Sequence, residues 1–265
     1  MLSRIAACCF LAVSATFATA ALADDQCPVR GGWVTIPFAP DPGDLTPSKK
    51  AQFPPSLIYD QIYDTLLRFG PKGLEPGLAT KYEIAPDKLS VTFSLRHGVM
   101  FHHGREFEAK DVVFTLNRIL DPKFSSPWAG QLSSIEKVEA VDKYTVKISL
   151  KQPFAPILSI LATAWYTAIV PYDFAGSNNL NEKASGTGPF MLVEYVPNDH
   201  VLLKANPNYW EKGYPCIDSI RYNIVPEQQA QISAFRQGNA DLVAINDPKF
   251  IALLQGKPGN KAVEP

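Results

Sequence analysis

The chain reads as an α/β protein, with α+β as the neighbouring alternative, on three observations. Leu89, Val91, Phe93 and Leu95 alternate with polar residues, and Tyr144, Val146, Ile148 and Leu150 repeat the pattern, as strands with one buried face require. Between them, residues 111–120 set Val112, Leu116, Ile119 and Leu120 on one side of a helix that Asp121 and Pro122 close. No fixed period recurs along the chain, which leaves a mixed layered architecture.

The remaining elements follow in order. Residues 31–38 form a strand, and Pro40, Pro42, Gly43 and Pro47 then break the pattern into a long loop of the kind that carries binding groups. From Ser56, a capping residue, Ile58, Ile62 and Leu66 recur at helical spacing, with Asp64 four residues before Arg68. Asp60 and Asp64 share that helix face and read as a solvated stripe, Arg68 partnering one of them, rather than as a catalytic carboxylate pair. A further helix after Pro156 carries Ile157, Leu158, Leu161 and Ala162. Strands are expected over 190–195, 201–204 and 217–225, then a helix over 227–237 and a strand over 240–244. Residues 256–265 trail off in Gly, Pro and Lys without a closing element, an ending that reads as an interruption.

Charge and composition limit the function. The 265 residues are 46% hydrophobic and 19% charged, ordinary for a folded domain. With 25 Lys and Arg against 26 Asp and Glu there is no basic face for nucleic acid; Lys49-Lys50, the densest basic spot, reads as a solvated surface pair. Arg4, the apolar run 5–13 and the small residues Ala21-Leu22-Ala23 predict a signal peptide over residues 1–23, cleaved before Asp24, and hence an exported, periplasmic protein. The apolar run is interrupted by Ser14, Thr16 and Thr19 and falls short of a membrane span, while Cys8 sits too early for a lipidated cysteine. Cleavage leaves Cys27 and Cys216 in an oxidising compartment, as a disulfide or as two unrelated thiols.

Catalytic signals are lacking. The Gly-x-Ser-x-Gly cue of a serine nucleophile does not occur. His97, His102 and His103 match no helical ligand pair, and adjacent strand residues diverge, so a turn into Gly104 accounts for them and no metal site is expected. Gly186-Thr187-Gly188-Pro189 lacks the Lys and Ser/Thr of a phosphate loop; its glycines suit a tight backbone path into Phe190. Asn206-Pro207-Asn208-Tyr209-Trp210 is a turn followed by two aromatics, read as core packing.

Taken in order, the motifs resemble extracytoplasmic solute-binding family 5, the peptide- and nickel-binding group of ABC importers. They are Gly77-Leu78-Ala79, Leu95-Arg96-His97-Gly98-Val99, Phe101-His102-His103-Gly104, Ala109-Lys110-Asp111-Val112-Val113-Phe114, Gly186-Thr187-Gly188-Pro189-Phe190, Asn206-Pro207-Asn208-Tyr209-Trp210, Pro215 with Asp218 and Ile220, and Gly238-Asn239-Ala240-Asp241. Three positions depart from the family pattern: His103, Glu108 in place of a capping Thr, and Cys216. The resemblance implies a type II periplasmic-binding-protein-like fold, with residues 24–265 as its first lobe, an inserted subdomain over roughly 57–182, and a second lobe largely missing. It implies a monomeric binding protein rather than an enzyme, without cofactor, that hands peptides to ABC importer permease subunits. Nickel complexes, opines and oligosaccharides are the alternative cargo, and a truncated inactive product or a secreted hydrolase the alternative identities. Candidate cleft residues are Asp41, Pro42 and Gly43 in the first loop, Trp165 and Tyr166, and Thr187, with the two aromatics equally readable as packing.

Overall fold

Two four-stranded sheets, each with its own apolar cluster, organise the chain. The computed structural model describes residues 27–50, 56–175, 180, 182–245 and 247–254. The signal peptide expected over 1–23, with Cys8, and the trailing segment 256–265 lie outside the described residues.

The first sheet has the order β1-β10-β9-β8, formed by β1 (Trp33–Phe38), β8 (Phe190–Val196), β9 (His200–Ala205) and β10 (Ser219–Ile224). β1 lies parallel to β10, which pairs antiparallel with β9, and β9 with β8. Phe38 meets Tyr222 edge-on, ring centres 5.6 Å apart, and both belong to a cluster with Leu45, Ile58, Tyr63, Val201 and Leu203.

The second sheet, order β4-β5-β7-β6, is antiparallel throughout and comes from β4 (Ala79–Ile84), β5 (Ser90–Leu95), β6 (Ile135–Asp142) and β7 (Thr145–Leu150). Val91 stands opposite Ile148 and Phe93 opposite Val146, so the two alternating segments face one core with their buried sides. The helix α2 (Ala109–Leu120) covers that core with Val112, Leu116 and Ile119. Its third residue, Asp111, turns back to accept the Glu108 N–H at 2.9 Å, and Arg105 meets the same carboxylate at 2.5 Å. Between the sheets run α1 (Ser56–Ile62) and a hairpin of β2 (Leu67–Gly70) and β3 (Gly73–Pro76). The short helices α3 (Ile157–Ile160) and α4 (Ala164–Thr167) follow the second sheet, and α5 (Gln228–Arg236) and α6 (Pro248–Leu254) follow β10.

Three expectations need correction. The helix from Ser56 ends at Ile62, because the Ile62 carbonyl accepts the Gly188 N–H at 3.0 Å instead of an N–H of a following turn. The helix after Pro156 is two short pieces, broken where Thr163 takes extended dihedrals. Residues 240–244 form no strand: Asp241 donates its N–H to the Thr35 carbonyl, but its side chain, not a second backbone group, takes the Thr35 N–H at 2.8 Å. β4 and β6 went unpredicted because each is an edge strand. In β6 a register shift between Ile135 and Lys137 buries Ile135 and Val138, three residues apart, which disguises the two-residue period.

A disulfide joins Cys27 to Cys216 across a sequence separation of 189, with Cα atoms 5.4 Å apart. It clips the entrance of the parallel pair, where Gly31 N–H reaches the Cys216 carbonyl at 2.8 Å and Gly32 N–H the Asp218 carboxylate at 2.9 Å. Replacing both cysteines by serine is expected to cost about 2–5 kcal/mol in urea unfolding, since the unfolded chain regains the freedom of a very long loop. An unchanged unfolding midpoint under oxidising conditions would show that this clip carries no stability.

Candidate functional site

The chain directions in the first sheet place the carboxyl ends of β1, β8 and β10 on one edge. In open α/β sheets ligands collect outside that edge, where connections diverge. Here it is crossed by residues 39–50, the Pro-rich loop after β1, which is anchored by hydrogen bonds at both ends.

Asp41 accepts hydrogen bonds from the Tyr195 hydroxyl near the end of β8, from the Asn198 N–H in the turn that follows it, and from the Gly43 N–H at 2.6 Å. Burial acts to raise its pKa, but these donors and nearby Lys50 outweigh it and hold the carboxyl below the ordinary Asp value. Pro42 is buried, and its carbonyl takes Lys50 Nζ at 3.4 Å. Gly43 is exposed with φ +59°, a left-handed conformation that suits glycine, and Lys50 Nζ fills the space a Cβ would need. Asp44 accepts the Thr46 N–H at 2.7 Å, and its carbonyl accepts the Tyr59 hydroxyl at 3.0 Å. At the far end Ser48 donates to the Tyr166 carbonyl at 2.6 Å and Trp128 Nε1 donates to the Lys50 carbonyl at 3.0 Å. Trp128 stands edge-on to Tyr166 at 4.7 Å, and Trp165 meets Tyr166 at 5.6 Å and 90°.

The structure therefore brings five candidate residues to one strip: Asp41, Pro42 and Gly43 at one end of the loop, and Trp165 and Tyr166 joined to the other end through Ser48. Both aromatics are half-buried and packed, Trp165 on the first cluster and Tyr166 on the second. Thr187 is elsewhere. It is fully buried, and its hydroxyl donates to Asp64 at 2.8 Å.

Asp64 is the polar centre that the sequence did not disclose. It also accepts Trp210 Nε1 at 2.9 Å and the Tyr209 hydroxyl at 3.4 Å. Burial pushes its pKa up, and the three donors with Arg68 pull only part of the way back. The expected pairing of Arg68 with an Asp on a solvated helix face is overturned, because the helix stops two residues before Asp64. Arg68 instead forms a bidentate pair with Glu211 at 2.7 and 2.9 Å, which lowers the Glu211 pKa. Arg96 lies 4.2 Å from the Trp210 ring centre. A recess of about 310 Å³ opens beside Asp64, lined also by Asp60, Tyr63, Arg68 and Tyr209. Asp60 is exposed at its rim, yet enough protein surrounds the carboxyl to push its pKa up to about 6.

The loop carrying Thr187 is held by His102. Gly186 N–H donates to His102 Nδ1 at 3.3 Å, so the ring proton sits on Nε2 and is given to the Gly188 carbonyl at 3.0 Å. Burial lowers the His102 pKa to about 4 and keeps the ring neutral. Side chains at Gly186 and Gly188 are ruled out, since a Cβ there would stand 2.0 Å from the Ile62 carbonyl oxygen and 2.6 Å from the Gln61 one. The adjacent Ser185, His103 and Asp173 superficially resemble a nucleophilic triad, with Ser185 Oγ 2.7 Å from His103 Nδ1 and His103 Nε2 4.0 Å from Asp173. The serine is buried, and Asp173 is held by Arg105 at 2.9 Å, so no substrate reaches the hydroxyl and the acid is engaged. Among the described residues no group of three His, Cys, Asp or Glu is placed to hold a metal ion, and no helix is long and apolar enough to cross a membrane.

Comparison with known proteins gives a consistent picture. Residues 73–265 match the model for bacterial extracellular solute-binding proteins, family 5 Middle. Di/tripeptide-binding protein 2 of Pseudomonas aeruginosa is 32% identical over 223 residues, covering 74% of this chain and 42% of the relative. The periplasmic binding protein DppA of Helicobacter pylori, solved with the peptide STSA, superposes with a TM-score of 0.79 at 29% identity, over 87% of this chain and 50% of that one. MoaA of A. tumefaciens R10, solved with mannopinic acid, gives 0.80 at 30% identity, over 89% and 50%. The chain thus spans about half the length of the relatives it matches.

Two outcomes test this geometry. Thr187→Val removes one donor from a buried carboxylate and is expected to cost about 1–3 kcal/mol of stability while leaving solute affinity unchanged. A loss of affinity at full stability would instead put Thr187 in contact with ligand. His102 binds fewer protons folded than unfolded between its folded value of about 4 and the ordinary 6.5. Stability is therefore complete above about pH 6.5 and falls, by up to about 3 kcal/mol, as the pH drops toward 4. His102→Gln should flatten that part of the pH–stability curve.

Proposed function

The chain belongs to the bacterial extracellular solute-binding proteins of family 5, and on that premise we propose that it captures peptides, from dipeptides to oligopeptides, for import by an ABC transporter. In this reading the strip along residues 39–50, with Trp165 and Tyr166, forms one wall of the solute cleft. The observation that carries it is the strapped loop itself: a rigid, backbone-rich segment laid across the carboxyl edge of parallel β1 and β10. Such a wall recognises an extended peptide by main-chain hydrogen bonds and leaves side chains to the surrounding surface. A rigid wall also lowers the ordering cost of binding.

The protein is further proposed to be a periplasmic monomer, exported by the signal peptide over residues 1–23 and docking on membrane-embedded permease subunits. It acts without cofactor and without chemical turnover, since a solute that favours the closed state of a clamp signals by shifting its population. Likeness to the mannopinic-acid-binding structure, equal in extent to the peptide-bound one, supports a second reading in which the cargo is a non-peptide carboxylic acid.

Thermal unfolding against di- to tetrapeptides, mannopinic acid and a nickel–histidine complex separates these readings. A cognate peptide at one hundred times its Kd should stabilise the protein by about 2.7 kcal/mol, with no product formed on prolonged incubation. Shifts confined to mannopinic acid or the nickel complex would replace the peptide assignment, and peptide cleavage would replace the binding-protein reading.

A further inference from the structure

Three cations gather where the first loop meets α2, and none of them forms an ion pair among the described residues. Arg118 of α2 sets its guanidinium carbon 4.1 Å from the ring centre of Phe124 and 6.0 Å from that of Phe114. Lys49 Nζ stands 4.8 Å from the same Phe124 ring and donates to the Phe124 carbonyl at 2.7 Å. Lys50 reaches the Pro42 carbonyl, at 3.4 Å. The nearest carboxylates are occupied by their own loop, Asp41 by Tyr195, Asn198 and Gly43, and Asp44 by Thr46.

Arg118 is the unusual member. Its guanidinium carries five N–H donors, and its contacts among the described residues are ring faces. Partial burial pulls its pKa down, the signature of a cation short of compensation, with Tyr63 and Asp44 acting on it only from beyond bonding distance. The Tyr63 hydroxyl next to it is a second unmet group: the residue is 1% exposed and the hydroxyl has no hydrogen-bond partner. Two like charges converging on one phenyl ring repel, and ring faces return only about 0.5–1 kcal/mol per exposed cation. An anion beside Arg118 and Lys49 supplies the counter-charge that no described residue gives them.

We infer that Arg118 and Lys49 form a carboxylate-binding subsite at the edge of the proposed solute wall, taking a free carboxylate of the solute while Phe124 fixes the plane of the guanidinium. This rests on the reading of the chain as a solute-binding protein. It narrows the cargo to solutes with a free carboxylate, either the terminus of a peptide or a carboxylic acid of another kind, and it assigns a role to Lys49 that surface exposure alone does not suggest.

The test titrates the full chain with tri-alanine and with tri-alanine amide by calorimetry, and measures melting with and without succinate. The amide is expected to bind about tenfold more weakly, the loss of one charge-assisted pair. Arg118→Gln should weaken tri-alanine about tenfold and leave the amide unchanged, with Lys49→Gln, at an exposed position that does not endanger folding, giving a smaller loss in the same direction. Equal binding of acid and amide by the native protein, or equal weakening of both by Arg118→Gln, overturns the subsite and leaves the peptide reading standing. If neither peptide binds but succinate raises the melting temperature of the native protein and not of Arg118→Gln, the subsite stands and the peptide reading falls. If succinate raises neither, both fall.

Discussion

The parallel pairing of β1 with β10 is the constraint on which the rest of the architecture depends. Trp33 through Phe38 register with Ser219 through Ile224, so most of the described chain is a single excursion between two neighbouring strands. Closing so long a loop is entropically unfavourable, though the cost grows only slowly with length. The Cys27–Cys216 bond and the Gly31, Gly32 and Asp218 backbone contacts concentrate at the entrance of the pair and hold it shut. Once it is closed, the carboxyl ends of β1, β8 and β10 share an edge, and the loop after β1 has only one place to run.

Inside that excursion the polar residues are used as fasteners. Asp64 gathers Thr187, Tyr209 and Trp210 where the C-terminal end of α1 meets the strand-to-loop segment 186–189. His102, neutral and donating from Nε2, fixes the same segment from the other side, and Gly186 and Gly188 let the backbone approach the Ile62 carbonyl. Buried networks of this kind are costly when incomplete, which is why the satisfied ones read as structure, while the Tyr63 hydroxyl, buried without a partner beside a cation that meets only ring faces, stands out.

How much of this was legible follows from what sequence patterns measure. Central strands β5 and β7 and the helix α2 bury one clean face, so Val91, Phe93, Val146, Ile148, Val112 and Leu116 announced themselves. Edge strands β4 and β6 bury little and carry register shifts, and their period is lost. The loop was recognisable from its prolines, but its contacts were not, because Asp41 with Asn198 and Ser48 with Tyr166 are pairings of high sequence separation that no local rule encodes. Asp64 was misjudged for the same reason: its environment comes from Thr187, Tyr209 and Trp210, more than a hundred residues away. Lys49-Lys50 looked like an ordinary surface pair, and only the tertiary position of Phe124 and Arg118 gives it a neighbourhood.

The long separation between β1 and β10 also sets a timetable. At a synthesis rate of about 5–20 residues per second, β1 leaves the ribosome some tens of seconds at most, and about ten at least, before its partner exists. During that interval the first sheet has no parallel neighbour to build on, and its edge can be completed only after residues 219–224 have appeared. A topology that postpones its own closure makes assembly sequential: the second sheet, whose strands and covering helix all lie within residues 79–150, has every partner it needs while β1 still waits for its own.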